Sequence, residues 1–212
     1  MQQYTLHKPT QRIQTDIQLP TSKSISNRVL IIDALCKENI PIEDLSGSED
    51  TKILRTALDG LGEVVDAGHA GTAMRFLTAF LSRTPGERVL TGTERMKQRP
   101  IGVLVDALRQ LGADITYIEN EGYPPLNIRG GELSGNKLEM DGSISSQYIT
   151  AVLLIAPTLP EGLELKLKGH VASVPYIKLT LALMNYFGIQ THWEGNTIMV
   201  YPGAYQPNPF RV

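Results

Sequence analysis

Apolar residues recur along this chain at helical spacing in one stretch after another. Ile101, Leu104, Val105, Leu108 and Leu111 form one helix face. Ile177, Thr180, Leu181, Met184 and Phe187 repeat that face at the same offsets from the next glycine. Three helical segments end alike, at Leu58-Asp59-Gly60-Leu61-Gly62, Leu108-Arg109-Gln110-Leu111-Gly112 and Met184-Asn185-Tyr186-Phe187-Gly188. Each sets an apolar residue before a glycine suited to the left-handed helix-ending position. One such ending is commonplace, but three with matching flanks indicate an internal repeat.

The third unit reads strand 137–140, helix 145–159, strand 163–168 and helix 175–187, then a hairpin of 189–193 and 197–201 turned by Glu194-Gly195-Asn196. The second follows the same order, with helices at 71–82 and 100–111 and a hairpin of 114–119 and 126–129. Pro100 suits the first turn of its helix, where a missing N–H costs nothing. The first unit has an extended run over 13–20, helices near 24–36 and 50–61, and almost no closing hairpin. Gly62 and Gly112 stand 50 residues apart, Gly112 and Gly188 76, which records that deletion.

Polarity decides the layering. The run from Tyr148 to Ala156 reads as apolar on every side and Ala73 to Leu81 nearly so. A helix without a polar face lies inside. The strands instead alternate, as in Thr116, Tyr117, Ile118 and Glu119, which suits sheets with one wet face. The fold class is therefore α/β, three βαβαββ repeats with buried helices and outer sheets, an inside-out α/β barrel. The three-repeat domain is expected over 14–202, with 203–212 (Gly203-Ala204-Tyr205-Gln206-Pro207-Asn208-Pro209 and beyond) as a linker leading out of it.

Composition narrows the function classes. At 212 residues and 42% hydrophobic the chain can bury one good core or two small ones. A net charge of −2 points to neither nucleic acid nor a membrane surface, so any cations that matter act locally. Cys36, the single cysteine, excludes a disulfide framework and suits a reducing cytosol. No signal peptide is read at the N-terminus, and the longest apolar run, Ala151 to Pro157, is too short to span a bilayer. A cytoplasmic protein is expected.

The helix starts carry the chemistry. Ser22-Lys23-Ser24-Ile25-Ser26-Asn27-Arg28 puts backbone N–H groups, hydroxyls and two cations at one helix N-terminus, which is a site for a small anion. Three-fold stacking brings the other starts to the same end: His69, Thr72 and Arg75; Ser145, Ser146 and Gln147; Ser48, Asp50 and Lys52; Arg95, Lys97 and Arg99; Ser173 and Tyr176. Such a focus favours a multiply charged small molecule, phosphate or carboxylate. Taken singly, Ser145 or Ser173 is an N-cap, Gly68 and Gly71 are turn residues, and Lys97 and Arg99 are solvated charges. Arg28 and Arg75 resist that reading, because an arginine inside an apolar helix needs a partner, expected here to be anionic. The histidines at 7, 69, 170 and 192 lack metal-ligand spacing, so no metal site is read. Walker A and G-x-G-x-x-G motifs are absent.

Five segments, in order, carry a resemblance: Ser22-Lys23-Ser24-x-Ser26-Asn27-Arg28, Ala70-Gly71-Thr72-Ala73-Met74-Arg75, Arg95-Met96-Lys97-x-Arg99-Pro100-Ile101-Gly102, Asp141-Gly142-Ser143-x-Ser145-Ser146-Gln147 and Ser173-x-Pro175-Tyr176. Together they resemble the 5-enolpyruvylshikimate-3-phosphate synthase family. The resemblance implies two similar domains of three βαβαββ units, with ligands bound between them. It implies transfer of the enolpyruvyl group of phosphoenolpyruvate to the 5-hydroxyl of shikimate 3-phosphate, with phosphate released and no cofactor.

The resemblance also implies roles. Lys23 would lie between the substrates and act in catalysis. Ser24 and Arg28 would hold the shikimate ring and its carboxylate. Ser145, Ser146 and Ser173 would bind its 3-phosphate, with Gln147 and Tyr176 against the ring. Gly71, through its N–H, and Arg99 would bind phosphoenolpyruvate, with Lys23, Gln147 and Arg75 at that subsite. The family's chains are about twice as long, so a C-terminal domain carrying the proton-transfer carboxylates is expected as partner, and residues 1–13 as a strand of that domain. Thr21, His69 and Phe76 depart from the usual glycine, asparagine and proline, the last two beside the phosphoenolpyruvate subsite. The sister family acting on UDP-N-acetylglucosamine lacks the Ser-Asn-Arg continuation and usually carries a reactive loop cysteine, whereas Cys36 sits in an apolar helix. A non-enzymatic phosphoacid-binding module is the reading of another class.

Overall fold

Three helices with almost no polar face form the centre of the molecule. A computed structural model describes residues 3–5, 7, 8, 12 and 14–212. α1 (Lys23–Leu35) buries every residue from Ser26 to Ile32. β1 (Ile42–Glu43), α2 (Glu49–Asp59) and β2 (Val64–Asp66) lead to α3 (Gly71–Arg83), buried from Ala73 to Ser82. β3 (Gly86–Thr91), the short α4 (Glu94–Lys97), α5 (Gly102–Gln110), β4 (Asp114–Tyr117) and β5 (Leu126–Gly130) complete the second unit. The third runs β6 (Lys137–Asp141), α6 (Ser146–Ile155), β7 (Leu163–Lys168), α7 (Val174–Tyr186), β8 (Thr191–Glu194) and β9 (Thr197–Val200), and β10 (Phe210–Arg211) follows. α1, α3 and α6, the first helix of each unit, pack against one another.

The sheets lie outside and repeat one topology. One is ordered β2-β3-β5-β4, the other β6-β7-β9-β8. In each, the first two strands are parallel, joined through a buried helix, and the last two form an antiparallel hairpin. β6 buries alternate residues, Leu138 and Met140, and β7 buries Leu163, Leu165 and Leu167, so one face is apolar and one wet. The three-unit α/β architecture with buried helices and outer sheets is the one expected.

Local differences have physical causes. α5 and α7 end in the expected glycine motif: Gly112 and Gly188 take φ of 100° and 86°. The N–H groups of Ala113 and Ile189 reach back to the Leu108 and Met184 carbonyls, at 3.0 and 2.9 Å. α2 ends instead at Gly60 with φ −130°, because the chain turns directly into β2 where the hairpin is deleted. Pro100 precedes its helix, with Ile101 as N-cap of α5. The run over 14–20 forms no strand, and Ile17 and Leu19 stand exposed. The N-terminal strand expected over 1–13 falls largely outside the described residues. The tail expected as a linker packs back onto the domain. Tyr205 is buried with its hydroxyl donating to the Leu154 carbonyl at 2.9 Å, and β10 pairs in parallel with β1. In the other units the strand parallel to the middle strand is the first one, so β10 takes the place of the first strand that 14–20 does not form.

Candidate functional site

Four helix starts converge on one polar cavity of about 320 Å³. α1 contributes Lys23, Ser24, Asn27 and Arg28; α3 contributes Thr72 and Phe76; α6 contributes Ser145, Ser146 and Gln147; α7 contributes Tyr176. The local reason is capping. Ser22 and Ser145 accept from the N–H groups of Ile25 and Gln147, which fixes where α1 and α6 begin and hence where their first-turn side chains project. Two starts have no such cap. Ala70 at the head of α3 has no side-chain oxygen to offer. Ser173 at the head of α7 sits at φ 54°, the left-handed region, and its hydroxyl makes no cap bond. A non-glycine residue held there stores strain of roughly 1–3 kcal/mol, a feature that clusters at ligand sites. The Ser173 hydroxyl is left exposed and unspent on the helix.

Electrostatics separates the cations expected at this end. Lys23 Nζ meets Asp50 Oδ2 at 3.0 Å, at the cavity rim. Lys97 is bound between Glu94 and Glu119, both at 3.1 Å, and turns away to a separate surface. Arg28, Arg75, Arg95 and Arg99 make no salt bridge among the described residues. Arg28 is 4% exposed. Its Nε donates to Thr180 Oγ1 at 2.8 Å, Nη1 to the Ser24 carbonyl at 2.6 Å, and Nη2 to Thr150 Oγ1 at 3.2 Å. The Phe76 and Tyr176 rings lie 5.8 and 5.9 Å from its guanidinium carbon. Burial lowers its pKa to about 10, partly offset by the Tyr176 side chain. Every partner among the described residues is neutral, so its positive charge remains uncompensated at the cavity floor.

Arg75 differs from the expectation. It is 5% exposed and lines no described cavity. Its Nη1 and Nη2 donate to the Gly71 and Pro100 carbonyls at 3.0 and 3.1 Å, and it stacks on Tyr148 at 5.6 Å. Tyr148 in turn donates to the Pro100 carbonyl at 2.8 Å. Arg75 thus ties α3 to the segment after α4 through the Pro100 carbonyl, and to α6 through the Tyr148 ring.

A second cavity of about 440 Å³ is lined by His69, Thr93, Arg95, Met96 and Arg99. Burial and the neighbouring positive charges of Arg75 and Arg95 hold Arg99 below its ordinary pKa. The Arg99 guanidinium rests directly over Gly71, where a Cβ would overlap it. Glycine at 71 thus leaves room for the Arg99 side chain to lie in this position. Lys23, Ser24, Arg28, Ser145, Ser146, Gln147 and Tyr176 come together in the first cavity, and Arg99 in the second. Gly71, Arg75 and Ser173 are outside both linings. Sequence reasoning missed Thr150 and Thr180, both fully buried. Thr150 was the one threonine in the run from Tyr148 to Ala156, and Thr180 the one polar residue on the face of Ile177, Leu181, Met184 and Phe187, which was the available signal.

The chain matches the family model described as EPSP synthase (3-phosphoshikimate 1-carboxyvinyltransferase) over residues 7–67 and 63–212. It belongs to the EPSP synthase family. A 3-phosphoshikimate 1-carboxyvinyltransferase of Bacteroides fragilis (strain YCH46) is 53% identical over 210 residues, covering 99% of this chain and 51% of the relative. One from Photobacterium profundum is 44% identical over 215 residues, covering 89% and 50%. The solved EPSP synthase from Acinetobacter baumannii shares the fold, with a TM-score of 0.80 at 22% identity over 92% of this chain and 49% of that one. The chain spans about half the length of the curated EPSP synthase relatives it matches. Among its described residues no helix is long and apolar enough to cross a membrane.

Proposed function

We propose that this chain is the shikimate 3-phosphate-binding half of a 3-phosphoshikimate 1-carboxyvinyltransferase. The observation that carries the reading is the uncompensated Arg28 guanidinium in a cavity edged by the hydroxyls of Ser24, Ser145 and Ser146. A cation with only neutral partners, in a space that admits a substituted six-membered ring, suits a small acid bearing phosphate. Ser145, Ser146 and Ser173 receive the 3-phosphate, the strained Ser173 hydroxyl completing that set. Arg28 and Ser24 meet the carboxylate side of the ring, and Gln147 and Tyr176 its faces. Phosphoenolpyruvate lies toward the second cavity, against Arg99 and the uncapped start of α3 at Gly71. Arg75 supports that subsite indirectly, through the Pro100 carbonyl it shares with Tyr148.

In the reaction the substrate's 5-hydroxyl oxygen bonds to C2 of phosphoenolpyruvate, the C2–O bond to phosphate breaks, and the hydroxyl proton leaves, in net balance, with the released phosphate. Lys23, held by Asp50 at the rim, stands between the two subsites in this reading. The proton-transferring carboxylates belong to the other half, as do residues 1–13, with 203–212 as the connection. Phosphate release from both substrates, assayed with and without a separately made second half, tests the activity. Calorimetry with shikimate 3-phosphate tests the site. Preference for UDP-N-acetylglucosamine would overturn the assignment. Against that sister reading, Cys36 caps α1 with its Sγ 3.1 Å from the Tyr205 carbonyl, instead of standing in a reactive loop.

A further inference from the structure

Thr150 and Thr180 are fully buried hydroxyls on α6 and α7, and neither lines the cavity. The two oxygens lie 3.1 Å apart, and both accept from Arg28. One hydrogen placement between them satisfies every contact. Thr180 Oγ1 donates its only proton to the Tyr176 carbonyl at 2.8 Å, so in the Thr150–Thr180 pair Thr150 must donate. Both hydroxyls then turn lone pairs, and no proton, toward the guanidinium. The donors are nearly used up as well. Nε is taken by Thr180, one Nη1 proton by the Ser24 carbonyl, and the Nη2 protons by Thr150 and, at 3.5 Å, the Tyr176 carbonyl. One Nη1 proton remains for a ligand.

We propose that Thr150 and Thr180 are positioning residues, a neutral two-hydroxyl clamp that fixes the Arg28 fork and keeps its full charge available to the ligand. This rests on the reading of the cavity as a shikimate 3-phosphate site. A carboxylate in place of either threonine would hold the guanidinium equally well but cancel the charge the ligand must meet. An apolar residue would leave a buried guanidinium N–H unpaired and the fork free to rotate. The hydroxyl orders the cation without neutralising it. The clamp also ties three helices together at the ligand: α1 bears the cation, and α6 and α7 bear the oxygens that aim it.

The test compares Thr180→Val, Thr150→Val and Thr180→Ser in this chain, with two readouts. In calorimetric titration with shikimate 3-phosphate, each valine variant is expected to bind about tenfold more weakly, since a bond to a charged group is at stake. Thr180→Ser, which keeps the oxygen, should remain within about threefold of the parent. The second readout needs no ligand: exchange of the Arg28 Nε proton with solvent, followed by NMR and assigned by its absence in Arg28→Lys. Thr180→Val should speed that exchange by about tenfold or more, and Thr180→Ser leave it slow. Parent-like affinity and exchange in Thr180→Val, or a serine variant as weak as the valine one, would overturn the clamp. If Thr180→Val fails to fold, Thr150→Val and Thr180→Ser decide by the same criteria. If the parent does not bind shikimate 3-phosphate, the reading of the cavity fails, and the exchange measurement still judges the clamp.

Discussion

Arg28 reaches the cavity with its charge intact because hydroxyls and carbonyls, not carboxylates, hold it. Its removal should therefore act on binding more than on folding. Arg28→Ala is expected to abolish most shikimate 3-phosphate affinity, and Arg28→Lys nearly as much, since an ammonium cannot satisfy the fork set by Thr150 and Thr180. Titration of both variants with shikimate 3-phosphate and a decarboxylated analogue checks this. Parent-like binding of the full substrate by either would remove Arg28 from the site. Gly71 gives a second residue-scale case. A Cβ there overlaps only the far end of the Arg99 side chain, which can swing away. Gly71→Ala should leave the melting temperature nearly unchanged while weakening the phosphoenolpyruvate-dependent step. A large drop in melting temperature would show that Gly71 serves folding instead. Thr150 and Thr180 were hard to read because a lone threonine on an apolar face usually returns its hydroxyl to its own helix, and only the neighbouring helices reveal another use.

Helix termini are where sequence and structure agree most closely and where they part. The glycine endings of α5 and α7 are Schellman motifs, as the repeat implied, whereas Gly62 is not left-handed. Gly112→Ala should thus cost roughly 1–2 kcal/mol through left-handed strain, and Gly62→Ala under about 0.5 kcal/mol. Equilibrium denaturation of the two variants separates them, and equal costs would contradict the difference in backbone geometry. The starts follow the same lesson. Ser145 caps as expected, and Ser22 and Ser48 cap α1 and α2 in the same way. Ser173 does not, because Val174 and Pro175 enter α7 directly from a left-handed residue.

Across the whole molecule, the closing tail matters as much as any repeat. Tyr186 donates to the Pro209 carbonyl at 2.6 Å, Asn208 to the Tyr186 carbonyl at 2.8 Å, and Phe210 packs against Tyr186 and Phe187. Tyr205→Phe removes the buried bond to Leu154 and should cost about 1 kcal/mol. That corresponds to a melting temperature lower by about 2–4 °C, measurable by calorimetry. No change would mean that the hydroxyl contributes nothing to holding the tail. On the same scale, the chain on its own is expected to release no phosphate from the two substrates, because general acid–base groups worth ~10²–10⁴-fold each are assigned to the other half. Turnover at an intact enzyme's rate would refute that division of labour.

Periodicity and turn chemistry act locally, and so the repeat, the layering, the helix starts and the family motifs were legible in the residues themselves. Ser22, Lys23, Ser24 and Arg28 belong to one helix start whatever surrounds it. Contacts between units are another matter, since they depend on how separate helices are oriented. Only the packing of α1 on α6 and α7 gave Arg28 neutral partners in Thr150 and Thr180. Only the loop after α4, folded over α3, put Arg99 above Gly71 and turned Arg75 to the Pro100 carbonyl. The pairing of β10 with β1 joins residues about 170 positions apart, and no local pattern in either segment specifies its partner.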